Sequence, residues 1–238
     1  MSDLIYEKIQ FGQFDSANFE LFLIERDAPT PNEKEVLLSI PYAQGTHDFS
    51  ALLGERVFEN RTNRYVLRVY NKSYDERKII ENKVKDLLLS QNYNQLIDTH
   101  DPDGFWWGKC SKVTPDDDNE YNKLTLTVEF ECYPYFMSKF NYFTDLWDDF
   151  NFDYDVACYS AYDVKEYQSI IFINNGSTAL SPIIHTSDEM QLKIANQTYK
   201  LKPGINQNFF IKINKGENRV SLTGTGRVVV FMRTELMR

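Results

Sequence analysis

The sequence predicts a mainly β protein carrying one helix, and three observations lead there. The chain of 238 residues holds 17 Phe, 15 Tyr and 3 Trp, and large rings bury wide areas and favour strands. Residues 124–132 alternate apolar and polar without a break, Leu124-Thr125-Leu126-Thr127-Val128-Glu129-Phe130-Glu131-Cys132. That period of two marks a half-buried antiparallel strand. From Gln168 onward, short β-type runs at 169–173, 190–194, 197–201, 208–213, 218–223 and 226–232 alternate with the turn dipeptides Asn175-Gly176, Pro203-Gly204 and Lys215-Gly216. Short strands at that spacing, with no helical segment among them, predict a small β-sandwich or jelly roll.

The elements follow in order. Phe19–Glu25 and Glu35–Ile40 read as strands separated by Pro29 and Pro31, and Pro41 closes the second because it has no N–H to donate. Arg64–Tyr70 is a β-branched and aromatic run. Ser73 and Glu76 have the spacing of a capping box and open a helix. Ile80, Val84, Leu87 and Leu88 give it an apolar face, with Asp75 and Glu76 near its positive end and Lys83 and Lys85 further on. It should end between Ser90 and Tyr93. Pro115–Glu120 is an exposed hairpin tip by composition. At Pro134 the composition shifts to aromatics and Asp, Phe143, Trp147, Asp148, Asp149, Phe150, Phe152, Asp153, Tyr154 and Asp155 among them. That stretch is too aromatic for a disordered linker. The division is therefore residues 1–133 as a first domain, 134–164 as an ordered connector and 165–238 as a second domain.

The formal charge of -9 lacks the basic balance with which a nucleic-acid binder neutralises phosphate, and it disfavours docking on an anionic membrane. No apolar run approaches the ~20 residues of a membrane span, so no membrane insertion is expected. Met1-Ser2-Asp3 opens no secretory signal. Cys110, Cys132 and Cys158 are odd in number and show neither a CxxC nor a zinc spacing, as in a protein made in a reducing cytoplasm. Cys132 falls in the apolar register of its strand and should be a small buried hydrophobe.

Candidate chemistry is sparse. His47-Asp48 and His100-Asp101 invite a general-base reading, but neighbours in a strand point to opposite faces. His185 has no such neighbour. Asp116-Asp117-Asp118 lacks the spacers, glycine and distal Glu of a calcium loop. The Asp-rich connector could hold a carboxylate pair for glycoside hydrolysis, though the sequence fixes no separation. Gly224-Thr225-Gly226 has no P-loop Lys and no following helix, so it reads as a hairpin turn. Trp106-Trp107, between Gly104 and Gly108, could stack on sugars, but alternation puts the rings on opposite faces. The sequence names no catalytic, cofactor-binding or metal-binding residue, and no cofactor.

Two signatures carry a family resemblance. Gly45-Thr46-His47-Asp48-Phe49-Ser50, Leu53-Gly54-Glu55 and Glu59-Asn60-Arg61 form the first. Phe172-Ile173-Asn174-Asn175-Gly176, Ser181-Pro182-Ile183-Ile184 and Gly216-Glu217-Asn218 form the second. Between them lie the capped helix, a strand closing on Phe130-Glu131-Cys132-Tyr133-Pro134-Tyr135, and Leu146-Trp147-Asp148-Asp149-Phe150-Asn151-Phe152-Asp153. In order and spacing these resemble the distal tail proteins of siphophages, in phages or prophages of Gram-positive hosts, over nearly the whole chain.

The resemblance implies an N-terminal β-barrel or sandwich-like domain with one helix and a C-terminal galectin-like sandwich. It implies a homohexameric ring at the virion tail tip, joining the major tail protein to the tail-associated protein and to receptor-binding proteins. No enzymatic activity follows from it. Some relatives insert carbohydrate-binding modules in the C-terminal domain; this chain has no such insertion, which argues against a direct sugar-binding role. The aromatic excess fits an assembly interface as well as a core, and a ring closes β edges that a monomer would expose. Six copies at -9 each would repel passing phosphate if that acidity reaches the lumen. The competing readings are a carbohydrate-binding adsorption protein and a glycan-degrading tail enzyme.

Overall fold

A computed structural model describes residues 7–51, 54–139 and 160–238. It divides into two compact units, one of residues up to Phe136 together with Arg238, the other Met137–Met237. Both are built from strands, and the described residues hold one α-helix.

The strands of the first unit are β1 (Ile9–Phe11), β2 (Phe14–Asp15), β3 (Phe22–Asp27), β4 (Leu37–Leu38), β5 (His47–Asp48) and β6 (Arg61–Tyr70). The helix α1 (Tyr74–Leu89) follows, then β7 (Asn94–Asp98), β8 (Gly104–Asp118) and β9 (Lys123–Ser138). The main sheet runs β2-β1-β7-β8-β9-β6-β3. It curls strongly. Arg26 on the terminal strand β3 reaches Asp98 on β7 at 3.3 Å, although four strand spacings of roughly 4.8 Å separate the two in a flat sheet. Phe11 of β1 and Phe130 of β9 likewise meet at a centroid distance of 5.1 Å inside the curl. The concave face holds the core, with Ile9, Phe11, Tyr65, Leu67, Leu126, Val128, Phe130 and Cys132 buried. The result is a half-barrel.

The predicted alternation is the inner and outer face of β9, and that strand outruns the prediction by continuing through a buried Pro134 to Ser138. The β6 ladder ends at Arg61 opposite Cys132, so Pro134 takes no donor from that pairing. The capping box is present in full: the Ser73 hydroxyl accepts from the Glu76 N–H and the Glu76 carboxylate accepts from the Ser73 N–H at 2.8 Å. The helix ends at Ser90.

The helix face differs from the apolar stripe. Arg77 and Glu81 are buried beside Val84 and Leu88, while Ile80 and Leu87 are only partly covered. Arg77 is 1 % exposed and is satisfied by Asp117, the Lys72 carbonyl at 2.8 Å, Asn119 and Asn122. This clamp also corrects the hairpin tip. Pro115–Asp118 continue β8, held by Arg77 and by the Asp118–Lys123 ion pair, and the turn is Asn119–Asn122. At the start of the chain, the expected strand 19–25 begins only at Phe22. A 3-10 turn occupies Ser16–Phe19 and Glu20 is left-handed at φ 55.

The second unit contains β10 (Ala161–Asn174), β11 (Ile183–Thr186), β12 (Met190–Ile194), β13 (Gln197–Leu201), β14 (Gly204–Gln207) and β15 (Gly216–Phe231). β12 and β13 match the predicted runs. The predicted strand 208–213 is absent, because the Asn208 side chain accepts from the Phe210 N–H and turns the chain there. The runs 218–223 and 226–232 are one strand, so Gly224-Thr225-Gly226 is not a hairpin turn.

These glycines sit where β15 changes partners. Residues 220–223 pair with β12 and residues 228–231 pair with β11, while β10 follows the opposite edge throughout. The turn joining β11 to β12 crosses at the glycines. A Cβ on Gly226 would lie 2.5 Å from Asp188 Oδ2, and one on Gly224 would lie 2.9 Å from Met190 Cγ. Glu166, opposite Gly224 on β10, is left-handed at φ 66. Both long strands therefore bend at one level and carry the sheet around a corner. Val220, Leu222, Val228 and Val230 all face inward across the bend and enclose a core with Phe172, Ile184, Leu192 and Ile213.

Candidate assembly surfaces

The first sequence signature falls on an exposed ribbon. β4 pairs with β5 apart from the main sheet, Leu37 opposite Asp48 and Leu38 opposite His47. The ribbon is extended by Lys34 N–H to Val57 O at 2.7 Å, Glu59 N–H to Asn32 O at 2.9 Å and a bridge between Glu33 and Phe58. The predicted strand 35–40 is reduced to Leu37–Leu38, because a two-stranded ribbon with no third neighbour holds its ladder weakly. Asp48 and Ser50 tie the two arms: Asp48 Oδ1 accepts the Ser50 N–H, and Ser50 Oγ accepts the Val36 N–H, each at 2.8 Å. The bond with Ser50 lowers the Asp48 pKa. Leu53, in the same signature, lies outside the described residues.

What this ribbon exposes is apolar. Val36, Leu37, Leu38, Ile40, Tyr42 and Val57 are each more than two-fifths exposed, and Ser50 is its buried anchor. Apolar side chains concentrated on a thin, doubly exposed ribbon mark a contact surface. A second such surface is the sheet edge β3, where Phe22 and Ile24 are exposed and the register slips between Leu23 and Glu25. An open edge with apolar residues is a template for pairing with another chain.

Three further signature residues, Arg61, Asn174 and Asn218, are fasteners. Arg61 is 3 % exposed, donates to the Ala28 and Arg238 carbonyls and lies 4.2 Å above the Trp106 ring. Asn174 is fully buried. Its Nδ2 donates to the Thr178 and Ile213 carbonyls and its Oδ1 accepts the Gly176 N–H. Asn218 closes the loop before β15 by bonding to Asn214 and Gly216.

Among the described residues, the side chains weighed for chemistry are not brought together. Asp48 is bonded to Ser50 rather than His47. Asp101 pairs with Arg238 at 2.9 Å, and the His100 N–H goes to Asp98. His185 is exposed on β11. Asp117 and Asp118 are taken by Arg77 and Lys123. No group of three or more His, Cys, Asp or Glu able to hold a metal occurs among the described residues. Trp106 is buried and Trp107 is 39 % exposed, on opposite faces as alternation requires. Burial pushes the Cys132 thiol up to about 12 and Cys110 up to about 11, so neither is a ready nucleophile. Cys158, Trp147, Asp148 and Asp153 lie outside the described residues. No described helix is long and apolar enough to cross a membrane.

No family model and no curated protein matches the chain in sequence. Solved structures do. The Dit protein of phage SPP1, described as a paradigm of the hub adsorption apparatus in phages infecting Gram-positive bacteria, superposes with a TM-score of 0.66. It is 12 % identical, and the match covers 95 % of this chain and 98 % of that one. Chains of the phage p2 baseplate in its activated conformation, with Sr and with Ca, align at 10 % and 9 % identity. Those matches cover 95 % and 96 % of this chain and 97 % and 98 % of those chains, but their TM-scores of 0.42 and 0.43 are too low to establish a shared fold. Over nearly its whole length, the chain has the fold of a phage distal tail protein.

Proposed function

We propose that this protein is the structural hub of a phage tail baseplate. It forms a homohexameric ring at the tail tip that joins the tube protein above to the tail-associated and receptor-binding proteins below. It acts through contacts and not through turnover. The observation that carries this reading is the whole-chain likeness to the SPP1 hub, at 95 % and 98 % mutual coverage. The exposed ribbon of residues 32–51 and 54–59 and the open edge β3 give that likeness a physical means, since both offer apolar surface suited to neighbouring copies. Quantitative mass spectrometry of assembled tails tests it. Six copies per tail are expected, and one copy per tail overturns the ring.

A further inference from the structure

The second unit carries a cleft of about 530 Å³ that the hub reading does not use. It is walled by Tyr199 and Phe210, and Lys212, Lys215 and Arg219 line it with Glu217 as the one carboxylate. Phe210 is 74 % exposed, so its ring is presented and not packed away. The Tyr199 hydroxyl donates to the Phe210 carbonyl at 2.8 Å and lies against the Gln197 side-chain amide, which fixes the wall. Lys215, Arg219 and Glu217 make no ion pair with any described residue, and the Lys212 ammonium sits 4.2 Å over the exposed Phe209 ring.

The charge lining this cleft runs against the chain's formal -9: Lys212, Lys215 and Arg219 stand there against a single carboxylate, Glu217. A basic face that served solubility alone would be dispersed over convex surface. Here cations line a concavity beside an aromatic wall and the Gln197 and Asn214 amides. Aromatic faces pack on the C–H faces of sugar rings, amides bond hydroxyls, and unpaired guanidinium and ammonium groups select carboxylate or phosphate.

Against the expectation drawn from the absent insertion, we infer that this cleft, built from the second unit's own residues 194–219, is a binding site for an anionic saccharide, a sugar unit bearing carboxylate or phosphate. The inference is independent of ring formation: it concerns a site within one copy and stands or falls without the hub. Titrate the full-length protein at low salt with an oligogalacturonate and with a neutral malto-oligosaccharide of equal length. Run glucose 6-phosphate and inorganic phosphate as further arms, reading binding by calorimetry or NMR.

The charged saccharides should bind at least tenfold more tightly than the neutral one and than inorganic phosphate, and the affinity should fall as salt rises. Phe210→Ala and the exposed pair Lys215→Ala with Arg219→Ala should each weaken binding by tenfold or more with the thermal midpoint kept. The double change Lys165→Ala with Arg227→Ala, basic residues of the same unit outside the cleft, should leave binding unchanged. Equal loss in that control, inorganic phosphate matching the saccharides, or no saccharide binding overturns the proposal.

Discussion

At the scale of residues, the helix carries the sharpest test. Arg77 is a buried cation whose partners come from the helix's own N-terminal approach, from Asp117 at the end of β8 and from the β8–β9 turn. Removing one partner of a buried ion pair leaves the other uncompensated and typically costs about 3–5 kcal/mol. Arg77→Ala should destabilise by that amount in chemical denaturation, and Arg77→Met by less, since its stem keeps the packing. A loss below about 0.5 kcal/mol, the range of surface changes, would show that the clamp is not holding the hairpin. Glu81 gives a pH signature. Hydrogen bonds from Lys78 and then Lys85 lower its carboxyl pKa. Its stabilising contribution is therefore present above the unfolded value of about 4.3 and is lost as pH falls through the lower folded value. Glu81→Gln should flatten the acid limb of a stability–pH curve below about pH 4.3 and leave its shape near neutrality unchanged.

At the scale of elements, the bend in β15 is the informative feature. Gly224 and Gly226 have φ of 134 and 148, and each lies against the crossing turn. Gly224→Ala adds a strained backbone and a clash with Met190, whose effects together should cost roughly 2 kcal/mol or more. Thr225→Ala, between them, should cost far less. Equal losses would mean that the corner does not depend on the missing Cβ atoms. The long partner strand sets a boundary that can be measured. Ala161–Val164 pair with Gly226–Val229, and Val164 is 2 % exposed. A fragment of residues 160–238 should melt cooperatively and at a higher temperature than one of 165–238. Indistinguishable melts would mean that the first turn of that ladder contributes nothing.

At the scale of the whole molecule, assembly is the property to probe. Leu38→Asp lies on the exposed ribbon and should leave the isolated protein's stability within about 0.5 kcal/mol. It should nevertheless abolish incorporation into tails, read by negative-stain images and infectivity. Asp148→Asn and Asp153→Asn should be tolerated, because the proposed hub works by surfaces. A single carboxylate change that leaves assembly intact and abolishes infection would favour a glycan-degrading enzyme instead.

What the sequence determined by itself was local. The capping box of Ser73 and Glu76, the alternation of residues 124–132, the β12 and β13 runs and the opposite facing of Trp106 and Trp107 each depend on neighbours within a few positions, where spacing fixes geometry. The two signatures were legible as a pattern, but their roles were not: the first divides between an exposed ribbon and the buried Arg61, and the second holds the buried Asn174 and Asn218 beside exposed residues such as Glu217. Tertiary structure decided the rest. Arg77 and Glu81 face inward because the β8–β9 turn and two lysines supply partners distant or on the same face, which hydrophobicity alone does not register. Gly224-Thr225-Gly226 continues a strand because ladders on both edges outweigh the turn preference of glycine. Phe209 and Phe210, apolar and strand-like in sequence, sit at an exposed turn because the Asn208 side chain accepts the Phe210 N–H and the unit's core is already filled by Ile211 and Ile213 beside them. Local propensity amounts to tenths of a kcal/mol per residue, and long-range pairing and burial exceed it wherever the two disagree.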